Sequence, residues 1–539
     1  MSEIKNTSEV MVDYLVAAGI DCIFGYPGDP NIDFIEAARR REMKLVLGSR
    51  EGTIGFMAEA YGMLTGRPGV CMSTLGPGST SMVNAVANAH LDRVPMLAIS
   101  GQVNTRMEPY FTHQVADHNQ IFSSISKWTV NMVPGSAGQI MRKALRVAVS
   151  ERPGPVHITT PADVVGAPSE DSEVFLPPMT ETQTPQVFAT DPANADVARR
   201  IRNARKPVIL TGISALRAGA TPALKRFAEA TGAPVVVSPM SKGVFPEDHP
   251  LYASTVDMAC NKVVWDFLAE ADLLVIVGFD AVELIKPWKL NVPSVHIDST
   301  PNTDQIYAAD TEVVGNIPNI LDALTGDYGN GSAKDGEARV RTHRAKLTEG
   351  FYAGRVEGRI NPTDVVDAMN GTLPADTIVS TDVGSHKILV GQGWQARQPK
   401  NFLMTNGLSS MGFSLPAAIA AKIVRPDQPV VCTTGDGGFS MVQGELRFAA
   451  SRGLGIMVIV FCDNSLNRIE LKQMNKQYPS ELTRIEPTDI VKLAEAMDCD
   501  GVKVETAAAL ADVVAKAPGL TRPLVVQAVV DPAQYVAQF

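Results

Sequence analysis

Positive charge is in deficit in this chain: 48 lysines and arginines stand against 58 aspartates and glutamates, a formal net charge of -10, with a pI near 5.4. That balance gives a polyanion no electrostatic footing, so nucleic acid and anionic membrane drop out as partners and a small molecule is the expected ligand. Cysteine is sparse too. The six (Cys22, Cys71, Cys260, Cys432, Cys462 and Cys499) are scattered, form no C-x-x-C pair and lie in several cases inside apolar runs. This excludes a disulfide framework or a zinc site and reads as reduced core thiols of a cytoplasmic protein. The eight histidines show no metal-ligand spacing. The opening stretch, MSEIKNTSEVMVDYLVAAGIDCIFGYPG, lacks a basic region followed by a long apolar one. No later segment sustains about 18 uncharged apolar residues, so neither secretion nor a membrane span is expected. Short internal repeats and low-complexity tracts are also missing.

What is present is a long alternation. At 539 residues the chain exceeds one hydrophobic core, and about three domains are expected. Apolar strand-like runs recur between helix-period segments: CIFGY, KLVLG, GVCMST, PMLAISG and PVHITT; then PVILTG, PVVVSP, LLVIVG and SVHID; finally TIVSTD, PVVCTT, IMVIVF and LVVQAVV. Short apolar strands separated by crossover helices predict an α/β protein with doubly wound parallel sheets. Two stretches interrupt the pattern: PSEDSEVFLPPMTETQTPQ, within residues 168–190, and GDYGNGSAKDGEA, at 326–338. Rich in Pro, Ser, Gly and acids and without periodicity, they read as surface linkers. Three blocks result, 1–170, 191–326 and 355–539.

The third block carries the sharpest chemistry. In VVCTTGDGGFS, Gly435, Asp436, Gly437 and Gly438 follow directly on a strand. Ligands of open α/β sheets sit at the carboxyl ends of strands, where glycines let backbone approach an anion and a following helix offers unpaired N–H groups. A phosphate or diphosphate is the expected guest. A second strand end, IMVIVFCDNS, brings Asp463 27 positions after Asp436, one helix plus one strand later, so the two carboxylates can lie on neighbouring strands. Hard oxygen ligands there suit Mg²⁺ or Ca²⁺ bridging diphosphate oxygens. Each piece alone also reads as a turn or a helix cap; the joint spacing favours the clamp.

This segment resembles the diphosphate and metal motif of thiamine-diphosphate-dependent enzymes, a Gly-Asp-Gly followed after one helix and strand by an Asn pair. Here the pair is replaced by Cys462-Asp463-Asn464. An ungapped match makes Asp436, Asp463 and the Ser465 carbonyl the Mg²⁺ ligands; a one-residue slip selects Asn464 instead, and Asn464 otherwise joins the cofactor contacts. Other segments carry the same resemblance. VLGSREGTIGFMAEAYGMLTG is similar to the catalytic-glutamate segment and implies Glu51 as the acid at the aminopyrimidine ring. NGLSSMGFSLPAAIAA implies Met411 as the wedge between the two rings, with the Ser409 carbonyl and the Met411 N–H on the pyrimidine edge. STDVGSHKI implies further diphosphate contacts from Val383, Gly384, Ser385 and His386. The resemblance spans nearly the whole chain, in the order pyrimidine-binding, central and diphosphate-binding domain. It implies a homodimer or homotetramer, because the family closes its site across subunits.

Within that family the chain looks most like acetolactate synthases of the catabolic, flavin-independent type. THQVADHNQIFSSISKW resembles their H-Q-x-x-D segment and the strand after it, so His113 and Gln114 are candidates for the substrate pocket; His113 reads equally as a hydrogen-bonded core histidine. The chain departs from the synthases after the metal loop, where Arg468, Ile469 and Lys472 make a more cationic pocket than pyruvate needs. YPGDPN, with Gly28 and Asp29, instead resembles the V-P-G-D-F-N of pyruvate and indolepyruvate decarboxylases, which implies Asp29 as a proton relay; Pro-Gly-Asp-Pro is also a strong turn signal. The central block has no G-x-G-x-x-G after its first strand, only ILTGISALRAG, so bound flavin (FAD) is not expected. The implied activity is thiamine-diphosphate- and Mg²⁺-dependent decarboxylation of a 2-oxo acid, with transfer of the remaining unit to a second carbonyl. The alternatives are a decarboxylase or acetyltransferase on the same scaffold, and a non-catalytic diphosphate-binding protein.

Overall fold

The computed structural model describes residues 5–169, 173–177, 192–328 and 335–538. Most of the linker expected at 168–190 and the middle of the break at 326–338 lie outside these residues. The chain divides into two compact units: one comprises Met1–Gln183, Leu408–Pro426 and Gly444–Arg452, the other Thr184–Gly407, Asp427–Gln443 and Gly453–Phe539.

The first unit is built on one sheet of β1 (Cys22–Gly25), β2 (Lys44–Leu47), β3 (Gly69–Ser73), β4 (Met96–Gln102), β5 (Trp128–Asn131) and β6 (Pro155–Pro161), in the order β2-β1-β3-β4-β6-β5. Every pairing is parallel. The strands β3, β4 and β6 are buried along their whole length, as helices on both faces require. The order turns back between β1 and β3, and that turning point is where an open sheet opens a crevice.

The second unit holds two further sheets. Strands β7 (Pro207–Thr211), β8 (Val235–Val237), β9 (Tyr252–Thr255), β10 (Leu273–Val277), β11 (Ser294–Asp298) and β12 (Thr311–Val314) run in the order β12-β11-β10-β7-β8-β9. Strands β13 (Ile378–Thr381), β14 (Phe402–Leu403), β15 (Val430–Gly435), β16 (Ile456–Cys462), β17 (Asp500–Val504) and β18 (Leu524–Val529) run in the order β14-β13-β15-β16-β18-β17. All pairings are again parallel. The architecture is thus three doubly wound α/β sheets, as the alternation of runs predicts. All thirteen apolar runs are strands. Of the other five, β5 was suggested only by the resemblance, while β9, β12, β14 and β17 gave no run; all five are edge strands. Five of the six cysteines are buried and Cys260 is half-buried, all as free thiols.

Within the second unit a fully buried ion pair joins its two sheets. Lys242 Nζ lies 2.7 Å from Glu247 Oε2, with side-chain exposures of 0% and 1%, and the same carboxylate oxygen accepts the Ala396 N–H at 3.2 Å. Gln392 adds two bonds beside it, accepting from the Thr255 N–H and donating to the Ala259 carbonyl. Burial pulls the lysine down and the carboxyl up, and their mutual attraction opposes both shifts. Removing one partner strands the other charge in a low dielectric. Lys242→Met is therefore expected to destabilise the protein by about 3–5 kcal/mol, and Lys242→Met/Glu247→Leu to recover most of that loss. Thermal melting of the two variants checks this; equal losses in both would show that the pair does not act as a unit.

Candidate functional site

The third sheet reverses its order between β13 and β15, and the loops at this point carry the residues expected to bind a diphosphate. After β13, Asp382 is fully buried; its Oδ1 accepts the Val383 N–H at 2.8 Å and its Oδ2 the Thr434 hydroxyl at 3.2 Å. Asp382 thus ties the Val383–His386 loop beneath the Gly435–Gly438 loop. Gly438 is required there, since a Cβ on it would lie 2.5 Å from Asp382 Oδ2. Ser385 donates to Asn467 Oδ1 at 2.8 Å, joining the same loop to the segment after β16. His386 is buried and stacked on Phe461 at 5.2 Å. Burial holds its pKa down to about 3, against the pull of its bond to the Asp382 backbone, and its Nε2 is buried without a partner.

Asp436 and Asp463 end adjacent parallel strands, and Gly435 pairs with Phe461 in the register. Asp436 Oδ2 accepts the N–H groups of Asp463 (3.2 Å) and Asn464 (2.7 Å), and its Oδ1 that of Gly437 (2.9 Å). Burial raises the Asp436 pKa, and those three N–H groups work the other way. Asp463 is pushed up to about 7, first by burial and then by the charge of Asp436. Among the described residues no cation offsets the charge of either carboxylate. Among the described residues no group of three or more His, Cys, Asp or Glu could hold a metal, so an ion here would take its remaining ligands from backbone, water or a bound anion. The loop is cross-tied: Ser465 donates to Glu470 at 2.5 Å, Glu470 pairs with Arg484 at 2.6 Å, and the Leu466 and Ile485 N–H groups bond the Thr483 and Asn464 carbonyls. Asn464 sits at φ +55°, with its side chain exposed.

In the first unit the β1–β3 crevice gathers a second set. A Cβ on Gly28 would lie 2.0 Å from Thr74 Oγ1, and one on Gly78 would lie 2.9 Å from Thr74 Cγ2 and 3.0 Å from Glu51 Oε1. Gly28, Thr74, Gly78 and Glu51 therefore form a continuous surface. Glu51 is half-buried and begins the Glu51–Thr65 helix. Gln114 approaches Gly76 on the same loop and sits at φ +60°; His113 and Gln114 are exposed, as is Asp29. Ser409 (φ +56°) and Met411, both half-buried, flank Ser410, whose hydroxyl accepts from Asn84 at 2.8 Å.

Several side chains that brace these loops escaped sequence reasoning. Glu445 is fully buried, and its Oε1 takes the Ser49 N–H (2.9 Å) and the Thr53 hydroxyl (2.5 Å), bracketing Glu51. Asp382 and Glu470 brace the acid pair as described. Asp382 did stand in a quoted motif; Glu445, nine residues beyond Asp436, carried no signal of its own.

The structure is that of an α/β protein with three parallel sheets, two acids lying side by side at the turning point of the third beside a glycine loop. Comparison with known proteins identifies the family. Family models described as the N-terminal TPP binding, central, and C-terminal TPP binding domains of thiamine pyrophosphate enzymes match residues 5–121, 195–324 and 382–528. The chain is 30% identical to an acetolactate synthase of Mycobacterium leprae, over 95% of this chain and 85% of that protein. It is 29% identical to a probable acetolactate synthase large subunit of Methanocaldococcus jannaschii (98% and 92% covered) and 28% identical to a catabolic acetolactate synthase of Raoultella terrigena (97% and 95%). The chain belongs to the thiamine pyrophosphate enzymes and is a thiamine-diphosphate-dependent enzyme similar to acetolactate synthases.

Because Gly438 admits no side chain above Asp382, Gly438→Ala is expected to cost about 1–3 kcal/mol through overpacking. A lowered melting temperature, with weaker protection of inorganic pyrophosphate-bound protein than in wild type, checks this; an unchanged melt would mean the loop relaxes freely.

Proposed function

We propose that this enzyme decarboxylates a 2-oxo acid and transfers the remaining unit to a second carbonyl, in the manner that the name acetolactate synthase describes for its relatives. The observation that carries the reading is the repelling pair Asp436 and Asp463 at the turning point of the third sheet, set beside buried His386, Ser385 and the glycine loop. These groups fit a Mg²⁺–diphosphate. Asp436, Asp463 and the Ser465 carbonyl would hold the ion, and Val383, Gly384, Ser385, His386, Gly435, Gly437, Gly438 and Asn464 the diphosphate. Asp463 is preferred to Asn464 as ligand, because its carboxylate feels the Asp436 charge while the Asn464 side chain is exposed.

Thiamine diphosphate, when bound, supplies the carbanion chemistry that such a decarboxylation needs. The protein's part is to orient and to move protons. Glu51, on the surface shared with Gly28 and Gly78, would hold the proton at the aminopyrimidine ring nitrogen. Ser409 and Met411 would meet the pyrimidine edge, and Asp29, His113 and Gln114 the substrate. Three domains at 1–170, 191–326 and 355–539, a homodimer or homotetramer, and a cytoplasmic location complete the proposal; no helix among the described residues is long and apolar enough to cross a membrane.

The central sheet supports a flavin-free reading. At its own turning point a Cβ on Gly212 would lie 2.2 Å from Glu283 Oε2. Glu283, fully buried, accepts the Ile213 and Asp280 N–H groups at 2.8 and 2.7 Å and the Ser238 hydroxyl. A side-chain carboxyl thus fills the place where a dinucleotide phosphate would approach.

Feeding pyruvate with thiamine diphosphate and Mg²⁺ tests the reaction: acetolactate is expected, whereas acetaldehyde alone would replace carboligation by simple decarboxylation, the role that exposed Asp29 beside Gly28 would suit. Glu51→Gln is expected to lower kcat about 10²–10⁴-fold with thiamine diphosphate affinity nearly unchanged, measured by steady-state kinetics and calorimetry. A second expectation follows from Asp463, whose folded pKa of about 7 exceeds its ordinary 3.8. The unfolded chain releases this proton first, so metal-free stability falls as pH rises through that interval. Mg²⁺ takes the proton's place. Its stabilising shift in melting temperature, with pyrophosphate present, should therefore be larger at about pH 8 than at about pH 5.5; a pH-independent shift would remove Asp463 from the ion.

A further inference from the structure

In the first unit the Glu51–Thr65 helix packs closely on the Pro77–Leu91 helix and on the segment that follows it. A Cβ on Gly55 would lie 2.4 Å from the Ala85 methyl, and one on Gly62 2.6 Å from the Pro95 carbonyl. Between those two glycines, at i+4 from Gly55, the same face carries Glu59, an acid with no exposure to solvent. It meets Asn88, three residues beyond Ala85, and Asp92 one turn further; both are fully buried as well. Asn88 Nδ2 donates to both Glu59 oxygens at 2.9 Å and to Asp92 Oδ2 at 3.3 Å. On its other side Asn88 Oδ1 accepts the Ser410 N–H at 3.4 Å.

The orientation of this amide is dictated by chemistry. A backbone N–H can only donate, so the side-chain oxygen must face Ser410 and the NH₂ group must face the carboxyls. Two buried carboxyls this close disfavour double ionisation in a low dielectric. Burial and the neighbouring Asp92 both push the Glu59 pKa well up. Both carboxyls offer acceptor oxygens to Asn88.

We propose that Asn88, held by the buried Glu59–Asp92 pair, is a positioning residue for the reaction: its side-chain carbonyl anchors the Ser410 N–H and so sets the Ser409 carbonyl and Met411 N–H at the coenzyme's pyrimidine edge. The role of the 409–411 loop rests on the function proposed above; the anchoring of the loop does not. Ser409 at φ +56° is a conformation that a non-glycine residue holds only when its surroundings over-determine it. Asn88 from below and Asn84, through the Ser410 hydroxyl, supply that constraint.

The test compares wild type with Asn88→Ala, Asn88→Leu as a same-shape stand-in should the alanine variant not fold, and Glu59→Gln. Hydrogen–deuterium exchange of the coenzyme-free protein is expected to accelerate at least tenfold in peptides covering 408–412 of the Asn88 variants, with the remainder of the first unit unchanged. Calorimetry is expected to show thiamine diphosphate affinity reduced about tenfold while inorganic pyrophosphate with Mg²⁺ binds as in wild type. Glu59→Gln, which presents the donor and acceptor of a protonated carboxyl, should behave as wild type within about twofold. Unchanged exchange at 408–412, or acceleration spread evenly over the unit, would overturn the proposal, as would equal losses for thiamine diphosphate and pyrophosphate. Wild-type protein that binds no thiamine diphosphate at all would overturn the function assigned above, and the exchange data would still decide whether Asn88 anchors the loop.

Discussion

Two carboxylates at the ends of adjacent parallel strands repel each other, and the second unit is arranged so that they cannot move apart. Register places Gly435 beside Phe461, so Asp436 and Asp463 leave their strands side by side. Backbone N–H groups of Gly437, Asp463 and Asn464 pin Asp436, and Glu470, itself clamped by Arg484, pins the loop that carries Asp463. Protonation of Asp463, whose pKa is raised to about 7, relieves that repulsion, and a bound cation would do the same. Beside them, buried Asp382 holds the Val383–His386 and Gly435–Gly438 loops in register.

The first unit solves a related problem with different means. Its acids are held apart in function by burial. Glu51 starts a helix at the crevice, where Glu445 secures the backbone on either side of it. Glu59, two turns further on, is sealed between helices and paired with Asp92 through Asn88. One helix therefore carries a half-buried acid at its first turn and a fully buried one in its middle. The difference arises from the close approach at Gly55 and Gly62, which excludes water from the middle of the helix and leaves its first turn open.

How far these features could be read beforehand depends on whether they were local. Strands buried on both faces announce themselves as unbroken apolar runs, and every interior strand was legible. The strands β5, β9, β12, β14 and β17 were not, because an edge strand pairs on one side only and tolerates a mixed or very short sequence, as in Phe402–Leu403. Asp436 stood out because glycines flank it and a strand precedes it. Glu445, Asp382, Asn88 and Glu59 did not, because each acts on a partner distant in sequence, up to 396 residues away for Glu445 and Ser49.

The amino-acid sequence by itself determined the three-sheet α/β architecture, the acid spacing of the third block and the family resemblance, since apolar periodicity and short motifs are properties of contiguous residues. Only the tertiary structure decided which acids resist ionisation, which are sealed and which side chains hold the loops in place. Those outcomes depend on desolvation and on hydrogen bonds between residues far apart in the chain, and neither exists until the helices and sheets have packed.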